Sequence, residues 1–196
     1  MKRVAIFLSI FTIFLIALNN DKPNFKNLNF RFIGPDGNRA IAISGVSSDH
    51  NTYYVGAASG GLFKTTNKGI SWEPIFDDQD VSSVSAIAIS QKNPNIVWAG
   101  TGETFLIRPA HAIGDGIYKS EDGGNTWKNM GLQKTARIAK IVIHPKNDKI
   151  VYVAALGHTF GPQEDRGIYK TTNGGKTLKK ILFIDQNTGG IDIALD

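Results

Sequence analysis

Ser120-Glu121-Asp122-Gly123-Gly124-Asn125-Thr126-Trp127 decides how this chain is read, because the same pattern stands on either side of it. Upstream is Thr65-Thr66-Asn67-Lys68-Gly69-Ile70-Ser71-Trp72, and downstream is Thr171-Thr172-Asn173-Gly174-Gly175-Lys176-Thr177-Leu178, at intervals of about 50 residues. Self-similarity at such a period marks a repeat architecture. Each octapeptide reads as a hairpin turn. Asp122, Asn67 and Asn173 can fold their side-chain oxygens onto turn amides, while Gly124, Gly69 and Gly175 supply a positive φ without steric cost. A strand ending in Tyr/Phe-Lys-Ser/Thr precedes each turn (GLFKT, GIYKS, GIYKT) and one led by Trp72, Trp127 or Leu178 follows, so each turn joins two antiparallel strands. The large leading side chain is a core anchor: a buried Trp covers about 150–250 Å², worth roughly 4–6 kcal/mol as an upper figure.

Working outward, the alignment places Phe30 where Trp72, Trp127 and Leu178 stand. Each of these is followed, after a loop, by an apolar strand: 40–44, 85–90, 138–144 and 190–195. Second strands follow at 52–57, 96–100 and 150–155. Four antiparallel strands per repeat of about 50 residues is a propeller blade. The expectation is therefore an all-β, incomplete β-propeller over residues 28–196, with full blades at about 38–76, 84–130 and 138–184 and an orphan strand at each end. The missing partner strands are expected beyond Asp196, making this an N-terminal piece of a larger ring. A chain complete as it stands would need self-association to cover its open blade faces.

The octapeptides resemble Asp-boxes, or bacterial neuraminidase repeats. The wider pattern (IAISQKNPNIVWAGTGE, GDGIYKSEDGGNTW, HPKNDKIVYVAALG) resembles the secreted sortilin-like propellers of environmental bacteria. The resemblance implies a ring whose Asp-box hairpins lie at the periphery, away from the ligand site, in a family that includes receptors, glycoside hydrolases and assembly factors. Under that reading Thr65, Asn67, Gly69 and Trp72, Ser120, Asp122, Gly124 and Trp127, and Thr171, Asn173, Gly175 and Leu178 are structural.

Residues 1–20 read as a signal peptide or N-terminal anchor: Lys2 and Arg3 precede an apolar run from Val4 to Leu18 broken only by Ser9 and Thr12. That length favours a cleavable signal over a spanning helix, and an uncleaved segment would be the only membrane contact. The chain is expected to be exported, and so secreted, periplasmic or on the cell surface. Residues 21–27 are a polar linker. With no cysteine in the chain, lipoprotein anchoring, disulfides and thiolate chemistry are excluded. Without Lys2 and Arg3 the net charge falls from +5 to +3, and no Lys/Arg run interleaves with aromatics, so nucleic acid is not an expected partner.

In a four-stranded meander the loop between strands two and three emerges opposite the octapeptide turns, and the insertions lie there. That loop is short in the first repeat (Ala58-Ser59-Gly60-Gly61) but long in the second (101–115) and third (157–166). Long loops on a rigid scaffold are where binding concentrates. They carry Glu103, Arg108, His111, Asp115, His158, Glu164, Asp165 and Arg166, the candidate ligand-binding residues. Arginines there suit a carboxylate or phosphate, and Glu103 and Asp115 suit hydroxyls or amines. The same residues also suit local ordering of the loops.

No His or carboxylate spacing matches a metal site, and the glycines at 56–61 lead from strand to strand, so neither metal nor cofactor is expected. No catalytic residue is assigned. In propeller hydrolases of xyloglucan a catalytic Asp belongs to a motif resembling Thr-Asp-Val-Gly-Gly; the matching Ala57-Ala58-Ser59-Gly60-Gly61 has Ala58 in its place. Arg31-Phe32-Ile33-Gly34-Pro35 likewise does not match the Arg-Ile/Leu-Pro motif of sialidases. The leading expectation is a binding scaffold for peptide, protein or glycan. The alternatives are the N-terminal part of a propeller glycoside hydrolase and an assembly factor.

Overall fold

The computed structural model describes residues 34–35, 39–105 and 111–196. The expected leader and linker, the strand expected at Phe30 and the candidate Arg108 lie outside the described residues. Among the described residues no helix is long and apolar enough to cross a membrane.

Among the described residues, twelve strands form three four-stranded antiparallel sheets in simple meander order. The first holds β1 (Ala40–Val46), β2 (Asp49–Ala57), β3 (Leu62–Thr65) and β4 (Glu73–Pro74). The second holds β5 (Val84–Ile89), β6 (Val97–Thr101), β7 (Ile117–Ser120) and β8 (Lys128–Gly131), and the third β9 (Ile138–His144), β10 (Asn147–Ala155), β11 (Gly167–Thr171) and β12 (Lys179–Leu182). The inner strands β1, β5 and β9 adjoin one another in that order. These are three successive blades of an incomplete β-propeller, in the phase read from the sequence. Residues 190–195 form no paired strand.

The octapeptides build the same turn three times. A buried hydroxyl accepts the amide of the fifth-position glycine: Gly69 N to Thr65 Oγ1 at 2.9 Å, Gly124 N to Ser120 Oγ at 2.8 Å and Gly175 N to Thr171 Oγ1 at 3.0 Å. That hydroxyl donates to the third-position side chain, Asn67, Asp122 or Asn173, at 2.9, 2.7 and 3.0 Å. The same Oδ1 atoms accept the amides of Ser71, Thr126 and Thr177. The three glycines have φ of 82°, 98° and 97°, the left-handed conformation a side chain would strain. The fourth-position amide of each turn donates to the start of its own blade's second strand, at Asn51, Asn95 and Lys149.

The core lies between blades. Tyr54, Leu62 and Phe76 of the first pack against Val84, Val97 and Tyr118 of the second. Phe76 meets Tyr118 and Trp127 edge-on at centroid distances of 5.1 and 5.2 Å, the arrangement favoured by the ring quadrupoles. Trp98 and Ile117 of the second blade pack against Ile138, Ile141 and Val153 of the third. Strand two of each blade closely approaches the next blade's inner strand. A Cβ added at Gly56 would lie 2.3 Å from Val84 O, and one at Gly100 2.5 Å from Ile138 Cγ2. At the third equivalent position the small residue has changed sides, with Ala154 facing Gly190.

Candidate functional site

Described residues of the loops leaving β6 and β10, together with the entry to β9, line an open cavity of about 320 Å³. Its lining includes His111, Ile113, Ala136, Arg137, His158 and Phe160. Ile113 and Phe160 are largely exposed at its rim, while Arg137 is only 4% exposed. The meander topology puts this cavity on the edge opposite the octapeptide turns.

Arg137 stands at the start of the third inner strand, where Arg39 stands in the first blade and Ser83 in the second. The carbonyls of these three residues each accept the amide just beyond the second strand, from Ala58, Gly102 and Leu156. The two arginines have different partners. Arg39 forms an ion pair with Glu103, a fully buried carboxylate that the next blade's loop brings to it. Among the described residues Arg137 has no carboxylate partner: Nε donates to Gly157 O at 2.7 Å, Nη2 donates to His158 O at 2.9 Å, and Nη1 is buried with no hydrogen-bond partner. His111 Nε2, also on the cavity lining, is buried and unpartnered as well. A buried polar atom without a partner costs about 1–3 kcal/mol, and Arg137 Nη1, which can only donate, favours an occupant that offers an acceptor. Burial, and then the charge of nearby Arg166, pull the Arg137 guanidinium below its usual pKa.

The eight candidates from the sequence divide. His111 and His158 line the cavity. Arg166, buried, orders its own loop: Nε donates to Gln186 O at 2.9 Å and Nη2 to His158 O at 2.9 Å and Gly161 O at 3.1 Å. Asp115 accepts the Tyr118 hydroxyl at 2.5 Å and the Thr101 hydroxyl at 3.3 Å. Burial and that bond push the Tyr118 phenol up to about 12. Glu164 and Asp165 offer backbone carbonyls to Lys180 Nζ and Tyr169 Oη. Glu103 is held by Arg39, and Arg108 lies outside the described residues.

Sequence reasoning passed over Arg137, because it looked to the long loops for function and the residue sits at a strand entry. The repeat alignment carried the signal: a basic residue at the head of two inner strands, only one matched by a buried carboxylate. Among the described residues the cavity has no carboxylate in its lining, and no group of three His, Cys, Asp or Glu is placed to hold a metal.

No family model matches the chain, and no curated protein sequence does. Solved structures do. An ancestral GH74 enzyme is similar over 79% of this chain and 19% of its own, with a TM-score of 0.59 and 23% identity. The GH74 xyloglucanase from Xanthomonas campestris is similar over 74% of this chain and 21% of its own, with a TM-score of 0.55 and 14% identity. YCF48, in a structure with bound D1 peptide, is similar over 75% of this chain and 40% of its own, with a TM-score of 0.52 and 17% identity. The chain thus spans about a fifth of the length of the GH74 structures. At these identities the shared property is the β-propeller fold.

Proposed function

We propose that the chain is part of an exported, sortilin-like Asp-box propeller that acts as a binding scaffold and takes the carboxylate of a peptide or an acidic glycan at the Arg137 cavity. One observation carries this reading: a buried arginine on the cavity lining has an unpartnered nitrogen and, among the described residues, no carboxylate partner. Arg39 supplies the internal precedent, since the guanidinium at the same blade position is matched by a buried Glu103. Charge-assisted bonds from a guanidinium are roughly twice as strong as neutral ones, which makes a carboxylate the fitting occupant. The apolar rim of Ile113 and Phe160 adds surface for the remainder of the ligand. Among propellers of this fold, YCF48 holds a peptide.

The similarity to GH74 enzymes favours a second reading, a hydrolase fragment, to which the cavity lends less. Acid–base cleavage of a glycoside needs two carboxyls about 5–10 Å apart. Here Ala58 is fully buried where the xyloglucanase-like motif would place its Asp, and Glu103 is occupied by Arg39.

The test uses pooled N-acetylated pentapeptides with free carboxyl termini, their amidated twins, and galacturonate as the acidic sugar. Free-carboxylate ligands are expected to bind at least about tenfold more tightly than amidated ones, and Arg137→Gln to erase the difference. Equal binding of both forms, or release of reducing sugar from xyloglucan, would overturn the proposal.

A further inference from the structure

The charges of the described residues are sorted by edge. The meander brings the links between first and second strands to the same edge as the octapeptide turns, where the amides of Lys68, Gly123 and Gly174 bond to Asn51, Asn95 and Lys149. Lys68 of the first blade, Lys92 and Lys128 of the second, and Lys146, Lys149 and Lys176 of the third are all exposed there. The exposed carboxylates of this edge are Glu73 and Glu121. Its half-buried carboxylates, Asp49, Asp122 and Asp148, are offset by half-buried Lys64, Lys119 and Lys170. Among the described residues, Lys119 alone of these lysines is in an ion pair, with Glu121 at 2.6 Å.

The opposite edge reverses the sign. The link from β4 to β5 exposes Asp77, Asp78 and Asp80, and the loops on either side of β11 and β12 expose Glu164 and Asp185. Among the described residues of that edge's loops, Lys134 is the only exposed Lys or Arg: Arg137 and Arg166 are buried, and Arg39 is paired with Glu103. A surface built for solubility alone intersperses the two signs. Segregation to opposite edges gives one of them a positive field that attracts an anionic partner.

Three features select that partner. The exposed cations of the octapeptide edge are all lysines spread over three blades. Guanidinium forks organise a discrete anion, whereas ammonium groups on flexible stems act as point charges on a diffuse one. Ile70, at the sixth octapeptide position, is 77% exposed two residues from Lys68. An apolar side chain among lysines gains where headgroups meet acyl chains and gains nothing against a polyanion in water. The exposed phenylalanines Phe105, Phe160 and Phe183 lie in loops of the opposite edge, so among the described residues this edge offers no exposed ring on which a base could stack.

We propose that the octapeptide edge docks on the anionic headgroups of a lipid bilayer, with Lys68, Lys92, Lys146 and Lys176 against the phosphates and Ile70 entering the interface. The inference is independent of the Arg137 cavity, which this orientation leaves facing away from the bilayer.

The full chain is sedimented with vesicles of phosphatidylglycerol and phosphatidylcholine in equal parts, and with phosphatidylcholine alone. Because the apolar run at 4–18 would hold to either kind, the ratio between the two is the readout. The anionic vesicles are expected to bind at least about tenfold more tightly, and the excess to vanish at about 0.5 M salt, where charges are screened within about 5 Å. Lys92→Gln, Lys146→Gln and Lys176→Gln together should remove most of the excess. Adding Asp77→Asn, Asp78→Asn and Asp80→Asn, which restores the net charge, should not bring it back. Ile70→Ser should weaken binding to the anionic vesicles about threefold or more. No excess for anionic vesicles would overturn the proposal. So would recovery by the aspartate changes, since net charge alone would then be at work. Tighter binding to duplex DNA or polygalacturonate, with no response to Ile70→Ser, would overturn it too, because the edge would then serve a soluble polyanion.

Discussion

The two edges of this propeller segment are built by opposite rules. Along one edge the three octapeptide turns repeat the same bonds almost atom for atom, although one uses Asp and two use Asn. Along the other, the three loops between second and third strands share neither length nor contacts. The first is a tight four-residue link, the second delivers Glu103 to Arg39, and the third wraps backbone carbonyls around Arg137 and Arg166. Repetition marks the parts that hold blades together. Divergence marks the edge where this chain differs from a generic propeller, and the unpartnered polar atoms of the Arg137 cavity lie there.

This contrast is broken most severely inside the repeated half. Trp98 is fully buried between the second and third blades, so Trp98→Ala should lower stability by about 3–5 kcal/mol, seen as a lower urea midpoint. Thr171→Val tests a single turn. It keeps the volume but removes the acceptor of Gly175 N, at an expected cost of about 1–3 kcal/mol by the same measurement.

Asp122 sharpens the comparison among the turns themselves. Hydrogen bonds from the Thr126 hydroxyl, then its amide, then the Ser120 hydroxyl, hold this carboxyl down to about 2. A depressed folded pKa gives stability that is fully present above the unfolded value, near 3.8, and is lost as the pH falls toward 2. Asn67 and Asn173 make the equivalent bonds without titrating. Asp122→Asn should therefore flatten the drop in urea midpoint between pH 5 and pH 2 while leaving the turn's hydrogen bonds in place. The smallest effect belongs to the other edge: Phe160, 81% exposed, should tolerate Ala within about 0.5 kcal/mol.

The same asymmetry governed what could be read from the sequence. Turn chemistry is local, so three Asx-x-Gly octapeptides in phase were enough to place the blades and their strand order, but the expected core anchors Trp72 and Trp127 are only half-buried, and the tryptophan fully buried between blades is Trp98, on a second strand. The cavity depends on distant residues meeting. His111, Arg137 and His158 come from three segments, and nothing in their spacing announces it. Charged loop residues looked alike in sequence, but Glu103, Asp115 and Arg166 are drawn into ordering the loops, because a buried charge needs partners close at hand. Arg137 was legible only through the repeat alignment, as the counterpart of Arg39.

The most direct measurement is an NMR titration of the chain with the free-carboxylate pentapeptides, following the Arg137 side-chain Nε–H signal and the backbone amides together. The account predicts that Arg137, His158 and Phe160 shift saturably, that the amides of Gly69, Gly124 and Gly175 stay still, and that the amidated peptides produce none of this. Shifts centred on the octapeptide turns, or identical shifts from the amidated peptides, would contradict it.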